Sequence, residues 1–450
     1  MRASEAEQSK GWREYQRHLK RASRKRYLRA RLPLLGLYGA AGFILVGAVF
    51  LSCSWIFAHL NVSGSSQPQE GEVQAAGQAR DMLLHEELCD LLEPIASEFP
   101  PAQGGGYALE AEGGVLMAET CLDQRFQAYI LDLLSRSLTR RAAVAAVNPV
   151  DGRVVAMASW EDGELECAGN LCLKAEFPGA SLIKTVVAAA AIEARGLGPS
   201  SAIYYRGQRY TLYRSQLEKC AGEPYTHKIS FERAFSKSIN PVFGKIGIYE
   251  LGKDLLEQYA EKFLFNTPIP MEVPLEPSSI LVPEDPFGLA EIASGFNRRT
   301  LISPMHASLI TAAIANGGKM MRPWLVQRVV DATGRELYHA EPQSLACSIE
   351  EETAFQIREL MQATVKQGTC REALGPLLWK RSFQGIELGA KTGTINDRRD
   401  EHKIDWVSVY ALPSDGRDPL SLTVLSVHGE KLGIRSKDLA RYILEYRYSS

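Results

Sequence analysis

The stretch PGASLIKTVVAAAAIEARG, residues 178–196, decides how the rest of this chain is read. Pro178-Gly179 makes a turn, and the Ala/Val/Ile-rich run from Ser181 to Arg195, closed by Gly196, predicts a buried helix. Ser181 then stands at or beside the helix N-terminus, with Lys184 one turn on along the same face. Unpaired backbone N–H groups and the positive end of the helix gather at that point. A serine hydroxyl is a weak nucleophile that needs an adjacent base. A lysine amine can serve when burial and neighbouring cations favour its neutral form. Alone the pattern is ordinary, because serine at a helix start is usually a cap and lysine three residues later is usually solvated.

Working outward, Ser236-Lys237-Ser238-Ile239-Asn240-Pro241 lies in a mostly helical middle running from Phe231 to Gly318. There Ser238 could relay a proton and Asn240 could offer an amide, although a Ser-x-Asn triplet is commonly a turn or cap. Lys391-Thr392-Gly393-Thr394 ends a strand-like run from Gly385. Gly393 removes a side chain where a ligand backbone could approach the strand edge, Lys391 adds charge, and the threonines offer hydroxyls for a carboxylate. Ala142–Val147 and Arg153–Ser159 flank the turn NPVDG and read as a hairpin, and Gly385–Thr394, Ile404–Leu412 and Leu420–His428 read as three late strands. Helices are expected at 81–99, from Asp123 to Arg140, at 349–366 and from Lys437 to Tyr446. Two strands early, three late and helices between predict an α/β fold of the α+β type. Its core is one antiparallel five-stranded sheet built from both ends of the domain, flanked by helices and joined to a mostly helical subdomain.

The N-terminal part has a different character. Residues 1–31 hold 11 Lys/Arg against three Glu, and an uncharged run of 27 residues follows from Leu32 to Ala58. Spanning a bilayer takes roughly 20 apolar residues, so 32–58 is expected to be a transmembrane helix, and the basic arm places 1–31 in the cytoplasm. A basic arm abutting such a run is a topology signal, so nucleic acid is not expected as a partner. The expected organisation is a cytoplasmic tail 1–31, a transmembrane helix 32–58, a linker 59–80, a small extracytoplasmic region 81–140 and a main domain 141–450. Of eight cysteines, Cys53 falls in the membrane run and seven lie beyond it. Cys167 and Cys172 are close enough in sequence to close a loop. Cys347 and Cys370 flank a helix too long for them to pair. No cysteine spacing suits zinc, so neither metal nor cofactor is expected.

Ser-x-x-Lys, Ser-x-Asn and Lys-Thr-Gly, in that order and on those elements, resemble the motif trio of penicillin-binding proteins and serine β-lactamases. AVAAVNPVDGRVVAMASW, ISFERAFSKSINPVFGKIG, ISPMHASLITAAIANGGKMMRP, TAFQIRELMQATVKQGTCREA and GAKTGTINDRRDEHKIDWVSVYALP extend the resemblance over roughly 115–446. It implies a penicillin-binding transpeptidase domain, membrane-anchored and monofunctional, acting on D-Ala–D-Ala in peptidoglycan stem peptides. Ser181 would form the acyl-enzyme, Lys184 would be its base, and Ser238 with Lys391 would pass the proton to departing D-Ala. Asn240 would hold the substrate amide, and Thr392 and Thr394 would grip the terminal carboxylate beside Gly393. Backbone N–H groups of Ser181 and Thr394 would form the oxyanion hole. β-Lactam antibiotics would be inhibitors, and a cell-wall synthesis complex is an expected partner at the bacterial cytoplasmic membrane. Two departures from the family pattern stand out: SGFN at Ser294–Asn297, and Ile395 after Thr394. The alternatives are a D-Ala–D-Ala carboxypeptidase or class D-like β-lactamase, and, outside enzymes, a catalytically silent cell-wall scaffold or β-lactam sensor.

Overall fold

Five strands alternate their side chains between two cores. In a computed structural model that describes residues 83–93, 106–111, 114–162, 169–397 and 399–449, β1 (Arg141–Val147) and β2 (Val154–Glu161) form the early hairpin. The late strands are β3 (Ile386–Asn396), β4 (Lys403–Pro413) and β5 (Leu420–His428). The sheet order is β3-β4-β5-β1-β2, every pair antiparallel, so the last strand of the chain lies beside the first. Successive residues of a strand face opposite sides. Accordingly Ala142, Val144 and Ala146 enter one core and Ala143, Ala145 and Val147 the other. A run of small apolar residues without alternation is what a strand covered on both faces requires.

The helical lobe covers one face. It includes α1 (Lys184–Arg195), α2 (Asn240–Lys245), α3 (Pro286–Ser294), α4 (Pro304–Ala315) and α5 (Glu351–Lys366). α4 packs on β1, β4 and β5, and α5 packs on β3. The other face carries α6 (Ser436–Tyr448) and the helix Gln124–Ser135. That second helix starts where expected, with Asp123 Oδ1 accepting the Phe126 N–H at 3.0 Å. It stops short of Arg140, because Leu138 takes a left-handed turn (φ 58°) that feeds the chain into β1. The expected helix 81–99 is seen as His85–Leu92: it starts later than expected, because Leu84 is extended and the Leu83 N–H bonds the Leu337 carbonyl, and residues 81–82 and 94–99 lie outside the described residues.

Strands Gly106–Ala111 and Gly114–Thr120 pair as a hairpin, and the second also pairs with Val326–Val330, which pairs in turn with Glu336–His339. The result is a four-stranded sheet shared between the N-terminal region and the segment after α4. Leu109, Leu116 and Ala118 from it join the core beneath the helical lobe. The cytoplasmic tail, transmembrane helix and linker expected over 1–80 lie outside the described residues, and among the described residues no helix is long and apolar enough to cross a membrane. Cys89, Cys121, Cys172, Cys220, Cys347 and Cys370 are free thiols. Cys53 and Cys167 lie outside the described residues.

Candidate active site

The turn ahead of α1 is tighter than an ordinary helix start. Ala180–Ile183 form one 3₁₀ turn that runs directly into α1, and Gly196 closes that helix in the left-handed region. Ala180, immediately before Ser181, has φ 46°, and Ser238 has φ 56°. Non-glycine residues in that region cost of order 1–3 kcal/mol each and persist only where the surroundings fix them. Both lie in the segments that carry the candidate chemistry.

The surroundings that fix them are visible. A Cβ on Gly295 would lie 1.9 Å from the Ala180 carbonyl oxygen, and Gly295 itself has φ +66°. The SGFN departure therefore keeps the glycine that lets α3's end press on the Ser181 turn. On the opposite side Trp406 donates its Nε1–H to the Pro178 carbonyl at 2.9 Å and meets Phe177 edge-on. Gly393 explains the approach of β3. A Cβ there would lie 3.2 Å from Ala180 Cβ and Gly179 O and 3.3 Å from Ser181 N. What presses on this glycine is the chain's own Ser181 turn, where the sequence suggested a ligand backbone. Ile395, the second departure, points into the core beneath the helical lobe.

Three motifs far apart in sequence thus meet in one place. Lys184 Nζ lies 2.7 Å from each of Ser181 Oγ, Asn240 Oδ1 and the Ser294 carbonyl oxygen. Lys391 Nζ donates to Ser238 Oγ at 3.0 Å and to the Thr392 carbonyl at 2.9 Å. Both lysines are buried (0% and 1% exposed), each about 5.5 Å from an aromatic ring, Phe243 for Lys184 and Phe235 for Lys391. Burial, and then the charge of Lys391, holds the Lys184 ammonium well below its usual pKa. Burial likewise pushes Lys391 down to about 7. Ser181 is half-buried and Thr394 exposed at the strand edge, so the cluster opens to solvent on the side where a substrate would enter.

Sequence reading missed four participants. The Ser294 carbonyl is a backbone atom and leaves no sequence signature. Thr369, in the turn after α5, shares a 2.6 Å hydroxyl contact with Thr392, and its N–H donates to Ser236 O, tying the second motif to the third. Asp405 on β4 accepts the Thr394 hydroxyl at 2.9 Å, and Arg435 holds the same carboxylate. Asp397, Glu401 and His402 cluster in the β3–β4 turn. Asp397 is occupied there by the Arg399 and Glu401 N–H groups and by His402 Nδ1.

Known proteins resemble this chain in sequence and in fold. The chain is 26% identical over 327 residues to the peptidoglycan D,D-transpeptidase PbpA of Mycolicibacterium smegmatis, covering 63% of this chain and 64% of that one. It is 25% identical over 266 residues to the stage V sporulation protein D of Bacillus subtilis, covering 57% of this chain and 40% of that one. The chain thus spans less than two thirds of the length of these curated relatives. The D,D-transpeptidase domain of a peptidoglycan glycosyltransferase from Eggerthella lenta shares the fold at TM-score 0.62 and 21% identity, covering 75% of this chain and 84% of that one. The imipenem acyl-enzyme of penicillin-binding protein A from Mycobacterium tuberculosis does so at TM-score 0.58 and 22% identity, covering 74% and 80%. The sequence profile described as the penicillin binding protein transpeptidase domain matches residues 142–416, more than half of the chain, and the chain belongs to that family.

Proposed function

We propose that the chain is a peptidoglycan D,D-transpeptidase that cross-links stem peptides through an acyl-enzyme on Ser181, with Lys184 as general base. The observation that carries this reading is the 2.7 Å contact between a fully buried Lys184 and Ser181 Oγ. A neutral amine has two hydrogens and one lone pair. Asn240 Oδ1 and the Ser294 carbonyl can only accept, so they take the two hydrogens, and the lone pair is left for the Ser181 hydroxyl. Burial beside a second cation favours that neutral state.

In the reaction, Ser181 Oγ attacks the carbonyl carbon between the two D-Ala residues as its proton passes to Lys184 Nζ. The tetrahedral oxyanion takes hydrogen bonds from the Ser181 and Thr394 N–H groups, each worth about 3 kcal/mol in such sites. The C–N bond breaks as Ser238, backed by Lys391, delivers a proton to the departing D-Ala nitrogen. An amine of a neighbouring stem then attacks the ester, and the reverse proton path restores Ser181. A β-lactam carbonyl would acylate the same oxygen, and its ring nitrogen would take the proton.

Residues 1–31 are assigned to the cytoplasm, 32–58 to a single span, 59–80 to a linker, 81–140 to a small extracytoplasmic region and 141–450 to the catalytic domain outside the membrane. The charge step at residue 31 supports this orientation. Neighbouring cell-wall enzymes would then be within reach as partners.

The deciding experiment is covalent labelling with a fluorescent penicillin. Ser181→Ala should abolish it, and Lys184→Ala should slow it by at least about 100-fold, the scale of general base catalysis. Labelling that persists in the Ser181 variant would falsify the mechanism. Acyl-enzyme lifetime separates this reading from a β-lactamase, which would clear the label within seconds.

A further inference from the structure

A group of cations gathers around the turn that holds Ser238 and Asn240. Arg233 lies on the short helix Phe231–Ser236, and the Lys237 N–H donates to the Arg233 carbonyl at 3.1 Å, so their side chains stand one turn apart. The Lys237 ammonium donates to the Gln367 carbonyl just past α5. In the same turn the Thr369 N–H donates to Ser236 O at 3.1 Å, and the Arg371 N–H to Gly368 O at 3.3 Å. A third segment arrives where the Asn240 N–H donates to the Arg209 carbonyl at 2.7 Å. Three stretches of chain thus bring Arg209, Arg233, Lys237 and Arg371 to the second motif.

Arg209, Arg233 and Arg371 are exposed and Lys237 is half-buried. Among the described residues, none of the four has a carboxylate within the 4.0 Å of an ion pair. The acids adjoining them are engaged elsewhere or point away. Glu232 accepts the Gln367 amide at 2.6 Å, and Glu372 reaches toward Lys437 at 3.9 Å. In the loop that carries Arg209, Glu223 pairs with Arg206, and Glu218 is exposed. Burial lowers the Lys237 ammonium, and Arg209, Arg233 and Arg371 lower it further. Like charges held together at the mouth of a cleft raise the local concentration of anions and fix their orientation.

Ser238 indicates which anion that is. In the proposed reaction the acceptor amine attacks along the path by which the D-Ala nitrogen left, so it gives its proton to Ser238. The new C–N bond forms as that proton moves, the C–O bond to Ser181 breaks, and Lys184 returns a proton to Ser181 Oγ. An amine beside Ser238 brings the rest of its own stem against the residues flanking Ser238.

We infer that Arg209, Arg233, Lys237 and Arg371 dock the acceptor stem through a carboxylate that it carries near its amine. This rests on the acyl-enzyme reading and names what favours an amine over water at the ester, a choice that the three motifs leave open.

The test acylates the full chain with an uncharged N-acyl-D-Ala thioester and measures how the acyl-enzyme divides between water and an added acceptor. The acceptor is a stem tripeptide with a side-chain amine, prepared with its carboxylates free or amidated. The wild-type chain should transfer to the free-carboxylate acceptor about 10-fold better than to the amidated one, the scale of several exposed ion pairs acting together. Raising the ionic strength should shrink that preference. Arg209→Ala, Arg233→Ala and Arg371→Ala combined should bring it close to one, and Arg233→Glu alone should lower it. A wild-type chain without the preference, or a triple variant that keeps it, overturns the inference. If the triple variant does not fold, the three single variants decide on the same terms. Binding to anionic phospholipid vesicles that the triple variant loses while the acceptor preference stays intact would assign the cations to a membrane surface and overturn it as well. A wild-type chain that the thioester does not acylate overturns the underlying acyl-enzyme reading instead.

Discussion

Lys184 and Lys391 sit in the interior with oxygens and aromatic rings around them and, among the described residues, no carboxylate in hydrogen-bond reach. Such residues oppose folding whenever the unfolded chain would hold a proton that the folded chain gives up. Lys391 has a folded pKa of about 7 against an ordinary 10.5. Its penalty is therefore complete below pH 7, shrinks between 7 and 10.5, and vanishes above. Lys391→Met should accordingly raise the unfolding free energy by a few kcal/mol at pH 6, of the order expected from ~1.4 kcal/mol per pKa unit, and by nothing at pH 11. Denaturant titrations at the two pH values check this. The same variant should lose most of its acylation rate, so stability and activity move in opposite directions. Catalysis has its own pH signature. Lys184 must be neutral to take the Ser181 proton, and Lys391 must keep its proton to support Ser238. The acylation rate should thus rise through the lowered pKa of Lys184 and fall as Lys391 deprotonates near 7, as a rate profile against pH would record.

At the level of elements, the site is an abutment of three backbones. The end of α3, the Ser181 turn and β3 touch without intervening side chains at Gly295 and Gly393. The two glycines differ in the room they leave. A methyl at Gly295 would fall 1.9 Å from a carbonyl oxygen, whereas one at Gly393 would fall 3.2 Å from its nearest neighbours. Gly295→Ala should therefore slow penicillin acylation by roughly 100-fold, the cost of about 1 Å of misplacement, and Gly393→Ala by clearly less. Acylation rates of both variants, measured alongside their melting temperatures, test that order. The ranking also shows where sequence reading reached and where it stopped. Ser181, Lys184, Ser238, Asn240, Lys391 and Thr392 stood out only as a set, through their resemblance to three family motifs in the right order, since each short pattern alone is ordinary. The partner of Gly393 was not legible, since a close approach between segments 200 residues apart is settled by packing. Asp405 and Arg435 carry no sequence motif, and their pairing becomes visible only when the α6 start is laid over β4.

Taken whole, the sheet is stitched from both ends of the described chain. β1 pairs with β5 through Val147 and Ser421 down to Arg141 and Val427, and each strand is buried on both faces. Its strand-like ends were visible as apolar runs. The four-stranded sheet that joins 106–120 to 326–339 was not, because each half is a short hairpin and the pairing of the two across a long stretch of chain is settled by packing. A chain ending after Pro413 would lack β5 and α6, leaving β1 and β4 with open edges and both cores short of a wall. Such a truncation should neither unfold cooperatively nor label with penicillin, which calorimetry and a gel assay would show.

The pairing of β1 with β5 also bears on when the protein can begin to work. If the chain crosses the membrane in the proposed orientation, β1 and the Ser181 turn would emerge early, whereas Asp405, Trp406 and β5 would follow only with the later part of the sequence. Until then the hydroxyl has no partner strand to lean on. On the proposed topology and chemistry, a labelled penicillin would mark only molecules whose last strand and helix have been delivered.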